Sequence, residues 1–195
     1  MKGKFQYDLC EYLLVVSPPN WVNWEVEDIR QGFAMYHGDF QGSNAVPHIA
    51  LLNLILHKSQ EETVVNKLEK KLSGMEGFDL SLDGFGFFEE SNGFCIRVEE
   101  NSALLSLHNF LVADLYVKQV MMGPANRNFN PHLALGRKLS DQQFRNAYHE
   151  FRNKEYTNYF RVNSLTLLKR KGPVANWAFF ADIPLKEEEG CVIYA

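Results

Sequence analysis

Two histidines occur in the same local pattern at two places in the chain. His48 lies in the segment PHIAL at residues 47–51, and His132 lies in PHLAL at residues 131–135. The imidazole group has an ordinary pKa of about 6.5, so near neutral pH one ring can be neutral while another is protonated. Two such rings facing one space could divide general base and general acid work at a phosphodiester between them, without a metal ion.

Each histidine segment has the composition of a short, half-buried strand. Side chains alternate along a strand, so His48 and Ala50 are expected on one face, as are His132 and Ala134. The aliphatic residues between them then point to the opposite face, into a core. The pattern therefore predicts two strands that each line a groove with a histidine.

The elements around the two histidine strands repeat in the same order. Each strand is preceded by a predicted helix and a polar loop, and is followed by an S-x-x-E/Q capping box, a second helix and a pair of strands. The boxes are Ser59 with Glu62 and Ser140 with Gln143, and the strand pairs are 78–88 with 94–98 and 160–168 with 177–183. This repetition predicts an internal duplication related by a pseudo-twofold axis.

The predicted fold class is α+β. We expect two pseudo-twofold-related lobes, each an antiparallel sheet with outer helices, that face each other across a central groove. Residues 1–195 are expected to form this single bilobal domain. The remaining histidines, His37, His57, His108 and His149, have no paired context and are expected on the surface or on helix faces.

Charge and cysteine content limit the classes of partner and compartment. The net charge of −4 and the pI of about 5.9 do not suit a protein that grips long nucleic acid, so nucleic-acid contacts should be restricted to a strand end or a small nucleotide. Three separated cysteines with no CxxC spacing predict neither a disulfide framework nor a zinc site. The cysteine pattern also fits a reducing compartment, and no apolar segment is long enough to span a membrane. We therefore expect a cytoplasmic protein, and we expect it to contain no metal.

The chain resembles the 2H phosphoesterase superfamily of 2'-5' RNA ligases and cyclic phosphodiesterases. That family is named for two motifs of the form H-x-T/S-aliphatic, and His48 to Leu51 and His132 to Leu135 match both at the histidine and aliphatic positions. The similarity runs over nearly the whole chain and includes residues 78–87 and 160–167. The resemblance implies that His48 and His132 catalyse acid–base chemistry on nucleotides or RNA ends carrying a 2',3'-cyclic phosphate or a 2'-5' linkage, with no cofactor.

Both family hydroxyls are missing, because Ala50 and Ala134 stand where the motif has Thr or Ser. Those hydroxyls would donate hydrogen bonds to phosphate oxygens, and each lost bond typically costs about 0.5–1.5 kcal/mol. Two hypotheses follow: a phosphoesterase or RNA ligase-like enzyme, or a nucleotide or RNA-end binding module with weak or no catalysis.

Substrate contacts are expected at Ala50, at Ala134 and at Arg137, which matches a basic position that contacts phosphate in some family members. Arg137 lies five residues after His132. This odd offset puts it on the opposite strand face unless the chain bends near Gly136.

Overall fold

The computed structural model describes residues 9–113, 121–122, 129–172 and 175–186. The strands are β1 (Leu9–Val16), β2 (Ile49–His57), β3 (Phe78–Phe88), β4 (Gly93–Val98), β5 (Met121–Met122), β6 (His132–Gly136), β7 (Thr157–Val162), β8 (Ser164–Arg170) and β9 (Ala178–Pro184). The helices are α1 (Asn20–His37), α2 (Glu61–Leu72), α3 (Ser102–Ala113) and α4 (Asp141–Phe151).

The strands form one curled sheet in the order β7-β3-β4-β6-β2-β1-β8-β9, and β5 pairs with β2. Neighbouring strands in this order are antiparallel. We call β7, β3, β4 and β6 half A, and β2, β1, β8 and β9 half B. The two halves join where Ile49 of β2 pairs with Leu133 of β6. The two histidine strands are therefore neighbours at the centre of the sheet.

The helices cover the two halves in an interleaved way. Helix α1 follows a strand of half B but contacts β6 of half A, and α3 follows a strand of half A but contacts β2 of half B. Helix α4 contacts β4, and α2 contacts β9. The predicted α+β class is confirmed, and the two predicted lobes correspond to the two halves of one curled sheet, each built from both parts of the chain. No helix in the described residues is both long and apolar enough to cross a membrane.

The predicted strand 160–168 is in fact two strands. The first, β7, ends at Val162 and pairs with β3 in half A, whereas β8 begins at Ser164 and pairs with β1 in half B. Asn163 connects them, and its carbonyl accepts a hydrogen bond from Leu185 N at 2.9 Å. Because the chain passes from half A to half B at a single residue, the alternation of apolar and polar side chains is almost unbroken. The sequence pattern therefore could not show that the segment forms two strands. The predicted closing hairpin is confirmed for β8 and β9.

Only one of the two predicted capping boxes forms as expected. The Ser140 hydroxyl accepts a hydrogen bond from Gln143 N at 3.2 Å, and the Gln143 side chain accepts one from Ser140 N at 3.1 Å. At the other site, Ser59 lies inside a 3-10 turn, and His57 and Gln60 form the box. Helix α2 then begins at Glu61, so the predicted box at Ser59 and Glu62 is wrong.

Candidate active site

His48 and His132 lie at matching places beside the junction of the two halves. His48 directly precedes β2, and His132 is the first residue of β6. Both flank the pair that joins these strands, Ile49 with Leu133. Because the strands are antiparallel, the pairing sets each histidine opposite the alanine of the other motif. His48, His132, Ala50 and Ala134 are thereby gathered on one small area of the sheet.

The two imidazole rings are held by the same kind of hydrogen bond. Nδ1 of His48 lies 2.9 Å from the carbonyl oxygen of Val46, and Nδ1 of His132 lies 2.8 Å from that of Asn130. A carbonyl oxygen can only accept, so Nδ1 carries the hydrogen in both rings, and Nε2 holds the lone pair when the ring is neutral. Nε2 of His48 is buried and has no hydrogen-bond partner among the described residues.

The surroundings lower the pKa of both histidines. Burial is the main cause at His48; the hydrogen bond to Val46 opposes it, and the positive charges of Arg137, Arg30 and His132 lower the pKa further. Burial likewise lowers the pKa of His132, with an opposing hydrogen bond to Asn130 and a further lowering by Arg137. The register of β2 and β6 places the two histidines diagonally across the strand pair. Because both pKa values lie below the ordinary value of an imidazole, both rings are neutral near neutral pH in the free protein.

Arg137 reaches the histidine face through a β-bulge. Ala134 pairs with Cys95 and Gly136 pairs with Phe94, so Leu135 is an extra residue in β6 without a partner. One extra residue shifts the alternation of side chains, which returns Arg137 to the face of His132 and Ala134. The bend near Gly136 on which the expectation for Arg137 depended is therefore this bulge. Burial lowers the pKa of Arg137 as well.

The other histidine strand contains the same irregularity. Val15 pairs with Ala50 and Leu14 with Leu52, so Leu51 is the extra residue in β2. Asn53, five residues after His48, thereby occupies the position that corresponds to Arg137. Sequence reasoning missed both bulges and Asn53, because a bulge depends on how the neighbouring strand pairs.

Two buried polar residues beneath the site were not predicted. Arg30 of α1 is 3% exposed and His108 of α3 is 4% exposed. Of the two expected positions for His108, surface or helix face, the surface position is wrong: the residue lies on the buried face of α3, and its Nδ1 bonds to the carbonyl oxygen of Leu51 at 3.0 Å. Arg30 falls in line with the buried Val22, Val26 and Phe33 of its helix. A charged residue at a core position of an amphipathic helix was the sequence signal that could have revealed it.

Two of the other histidines, His37 and His149, lie in helices α1 and α4 and not in the β2–β6 junction. His37 bonds to Glu150 and Asn146 between α1 and α4, and His149 is exposed. Within the described ranges, no group of three or more His, Cys, Asp or Glu side chains could hold a metal ion.

Solved structures with the same fold cover almost all of this chain. The Thermus thermophilus protein TT0787 has a TM-score of 0.65 at 19% identity, covering 91% of this chain and 99% of that one. E. coli LigT complexed with 3'-AMP has a TM-score of 0.62 at 17% identity, with the same coverage. LigT complexed with NADP+ has a TM-score of 0.65 at 15% identity, covering 92% of this chain and 99% of that one. The fold is therefore that of the LigT-like proteins.

The sequence agrees with this class. Residues 17–173 match the model of the 2'-5' RNA ligase superfamily, and the chain belongs to that family. No curated protein matches it significantly in sequence.

Proposed function

We propose that the protein is a metal-independent phosphoesterase or RNA ligase-like enzyme acting on nucleotides or RNA ends with a 2',3'-cyclic phosphate or a 2'-5' linkage. His48 and His132 are its acid–base pair. The observation that supports this most is the matched pair of rings at the β2–β6 junction, each with Nδ1 bonded to the carbonyl two residues earlier. Equivalent anchoring leaves each Nε2 available for proton transfer. We also propose that residues 1–195 act as one bilobal unit in the cytoplasm.

The proposed reaction divides proton transfer between the rings. The neutral histidine takes a proton from the attacking water or hydroxyl through Nε2, and the oxygen of that group forms a bond to phosphorus. The bond from phosphorus to the leaving 2' or 3' oxygen breaks, and the protonated histidine supplies the proton to that oxygen. Arg137 offsets the charge that develops on the phosphoryl oxygens.

Substrate binding would supply the protonated ring that the free protein lacks. Both histidines have lowered pKa values, whereas a bound phosphate brings negative charge next to them. Opposite charge favours the protonated form of an imidazole, so one histidine takes up a proton as the anion binds. E. coli LigT has been crystallised with phosphate and with 3'-AMP, ligands of the class proposed for this groove.

Turnover of nucleoside 2',3'-cyclic phosphates and of cyclic-phosphate-ended RNA, with a chelator present, tests the proposal. We expect product from the native protein and a loss of about 100- to 10,000-fold in kcat for His48→Ala and for His132→Ala. His149→Ala is the matched control, because His149 is an exposed helix residue, and it should keep full activity. Equal activity in all three variants would contradict the assignment, and so would activity lost on chelation.

The second candidate is a nucleotide or RNA-end binding module, favoured by the alanines at positions 50 and 134. The residues opposite each histidine then carry no hydroxyl to hold a phosphoryl oxygen. Ligand binding without turnover by the native protein, together with turnover in an Ala50→Ser, Ala134→Ser double variant, would favour the module. The absence of both binding and turnover would indicate a purely structural domain.

A further inference from the structure

A single buried guanidinium connects the two histidine-bearing segments. Arg30 donates from Nε to the carbonyl oxygen of Leu135 at 3.2 Å and from Nη2 to that of Ala134 at 2.5 Å. From Nη1 it donates to the carbonyl oxygen of Ala45. Ala134 and Leu135 follow His132 in β6, whereas Ala45 precedes His48 by three residues. Arg30 thus ties the strand of one histidine to the approach segment of the other.

His108 makes the corresponding connection on the other side of the junction. Its Nδ1 bonds to the carbonyl oxygen of Leu51 at 3.0 Å, and Leu51 is the bulged residue of β2, as Leu135 is of β6. Its ring also stacks on Phe129, with centroids 3.9 Å apart and planes within 6°. Phe129 precedes His132 by three residues, as Ala45 precedes His48. The two connections therefore correspond at two positions, the bulged residue and the residue three places before the other histidine.

Arg30 and His108 both donate to the carbonyl oxygen of a bulged residue, Leu135 and Leu51 respectively. A bulged residue is displaced from the ladder, and an unpaired buried carbonyl destabilises a fold. Both bulges sit directly after the motif alanines and turn Arg137 and Asn53 to the histidine face. Holding the bulge carbonyls therefore also fixes the orientation of the groove face.

Burying a cation at a core position of a helix carries a large desolvation cost. Burial lowers the pKa of Arg30 to about 10, and it lowers the pKa of His108, which is therefore neutral near neutral pH. An apolar side chain would meet the packing needs of either helix position without desolvating a polar group. The contacts that an apolar residue could not make are those to the histidine segments.

We infer that Arg30 and His108 are paired positioning residues that fix the spacing and tilt of the two histidine segments relative to each other. Neither touches the substrate. They act through the backbone of Ala134, Leu135, Ala45 and Leu51 and through the ring of Phe129. The inference rests on the proposed function only in its kinetic consequence, since the positioning of the two rings can be observed without turnover.

The test compares Arg30→Met, Arg30→Lys and His108→Phe in the full chain with Tyr12→Phe as the matched control. Tyr12 is fully buried and bonds to Glu61, away from the histidines, so its loss should affect stability alone. We expect Arg30→Met and His108→Phe to lower kcat by about 10- to 100-fold with little change in KM, because small misplacements of catalytic groups are costly. Tyr12→Phe should leave kcat unchanged.

NMR titration of His48 and His132 provides the readout that does not need turnover. The charged groups facing His48 are Arg137, Arg30 and His132. Removing the Arg30 charge in Arg30→Met should therefore raise the pKa of His48. Arg30→Lys keeps the charge but not the planar set of donors, so it should lower kcat while leaving that pKa close to native.

If Arg30→Lys and His108→Phe, which leave the charge near the rings unchanged, match Tyr12→Phe both in kcat and in the resonances of the two histidines, the positioning role is wrong. If Arg30→Lys and His108→Phe change the resonances of both histidines but no protein turns over substrate, the positioning role stands and the proposed catalytic function fails. His108→Gln and Arg30→Lys keep a donor and serve as milder variants should a larger change prevent folding.

Discussion

At the level of single residues, the protonation of His48 and His132 determines how activity depends on pH. The proposed reaction needs one neutral and one protonated ring. For an interacting pair, that form is most abundant between the two macroscopic pKa values. Burial and neighbouring positive charges lower both pKa values.

We therefore predict that kcat/KM, which reports the free enzyme, is highest below about pH 6.5 and falls as the pH rises above that value. The sign follows from proton loss, since at higher pH the free protein contains two neutral rings and no acid. A pH profile measured with a nucleoside 2',3'-cyclic phosphate checks this. An optimum in the alkaline range would show that the rings are not in the environment described here.

At the level of secondary structure elements, helices α2 and α4 begin with different capping residues, and the contribution of each cap to stability can be measured. We predict that Ser140→Ala lowers the free energy of unfolding by about 1 kcal/mol, because its hydroxyl caps α4 through Gln143 N. The matched variant Ser59→Ala should cost much less, because His57 and Gln60 form the box before α2. Urea denaturation of both variants gives the comparison, and equal losses would mean that Ser59 caps its helix after all.

Prediction from sequence succeeded for elements whose pattern is local. Strand β3 was expected at 78–88 and is observed there. It failed where the outcome depends on a neighbouring strand. The bulges at Leu51 and Leu135 and the break at Asn163 are decided by register and partner choice, which a single segment does not encode.

For the candidate site as well, prediction succeeded where the sequence pattern is local and failed where the contacts are distant in sequence. The paired histidines and their alanines were identified from a repeated five-residue pattern, and the correct face of the strand followed from alternation. Arg30 and His108 were missed or misjudged, because their partners are backbone carbonyls of strands distant in sequence. These contacts could be identified only once the structure showed that α1 and α3 pack against the opposite half of the sheet.

At the level of the whole molecule, the two halves of the sheet join at the β2–β6 pair, so the relative position of the two histidines depends on that junction. Each half contributes one histidine strand, and each is covered by a helix that follows a strand of the other half. The account therefore depends on the two rings acting at one shared space.

Titration of the ¹⁵N-labelled protein with inorganic phosphate, followed at the Nε2 signals of His48 and His132, tests this most directly. We predict that both signals move along a single binding curve with one phosphate bound per chain, and that the pKa of at least one ring rises as the anion binds. His48→Ala should weaken the response of His132 to phosphate. Two independent binding curves, or a response from only one ring, would contradict the shared site.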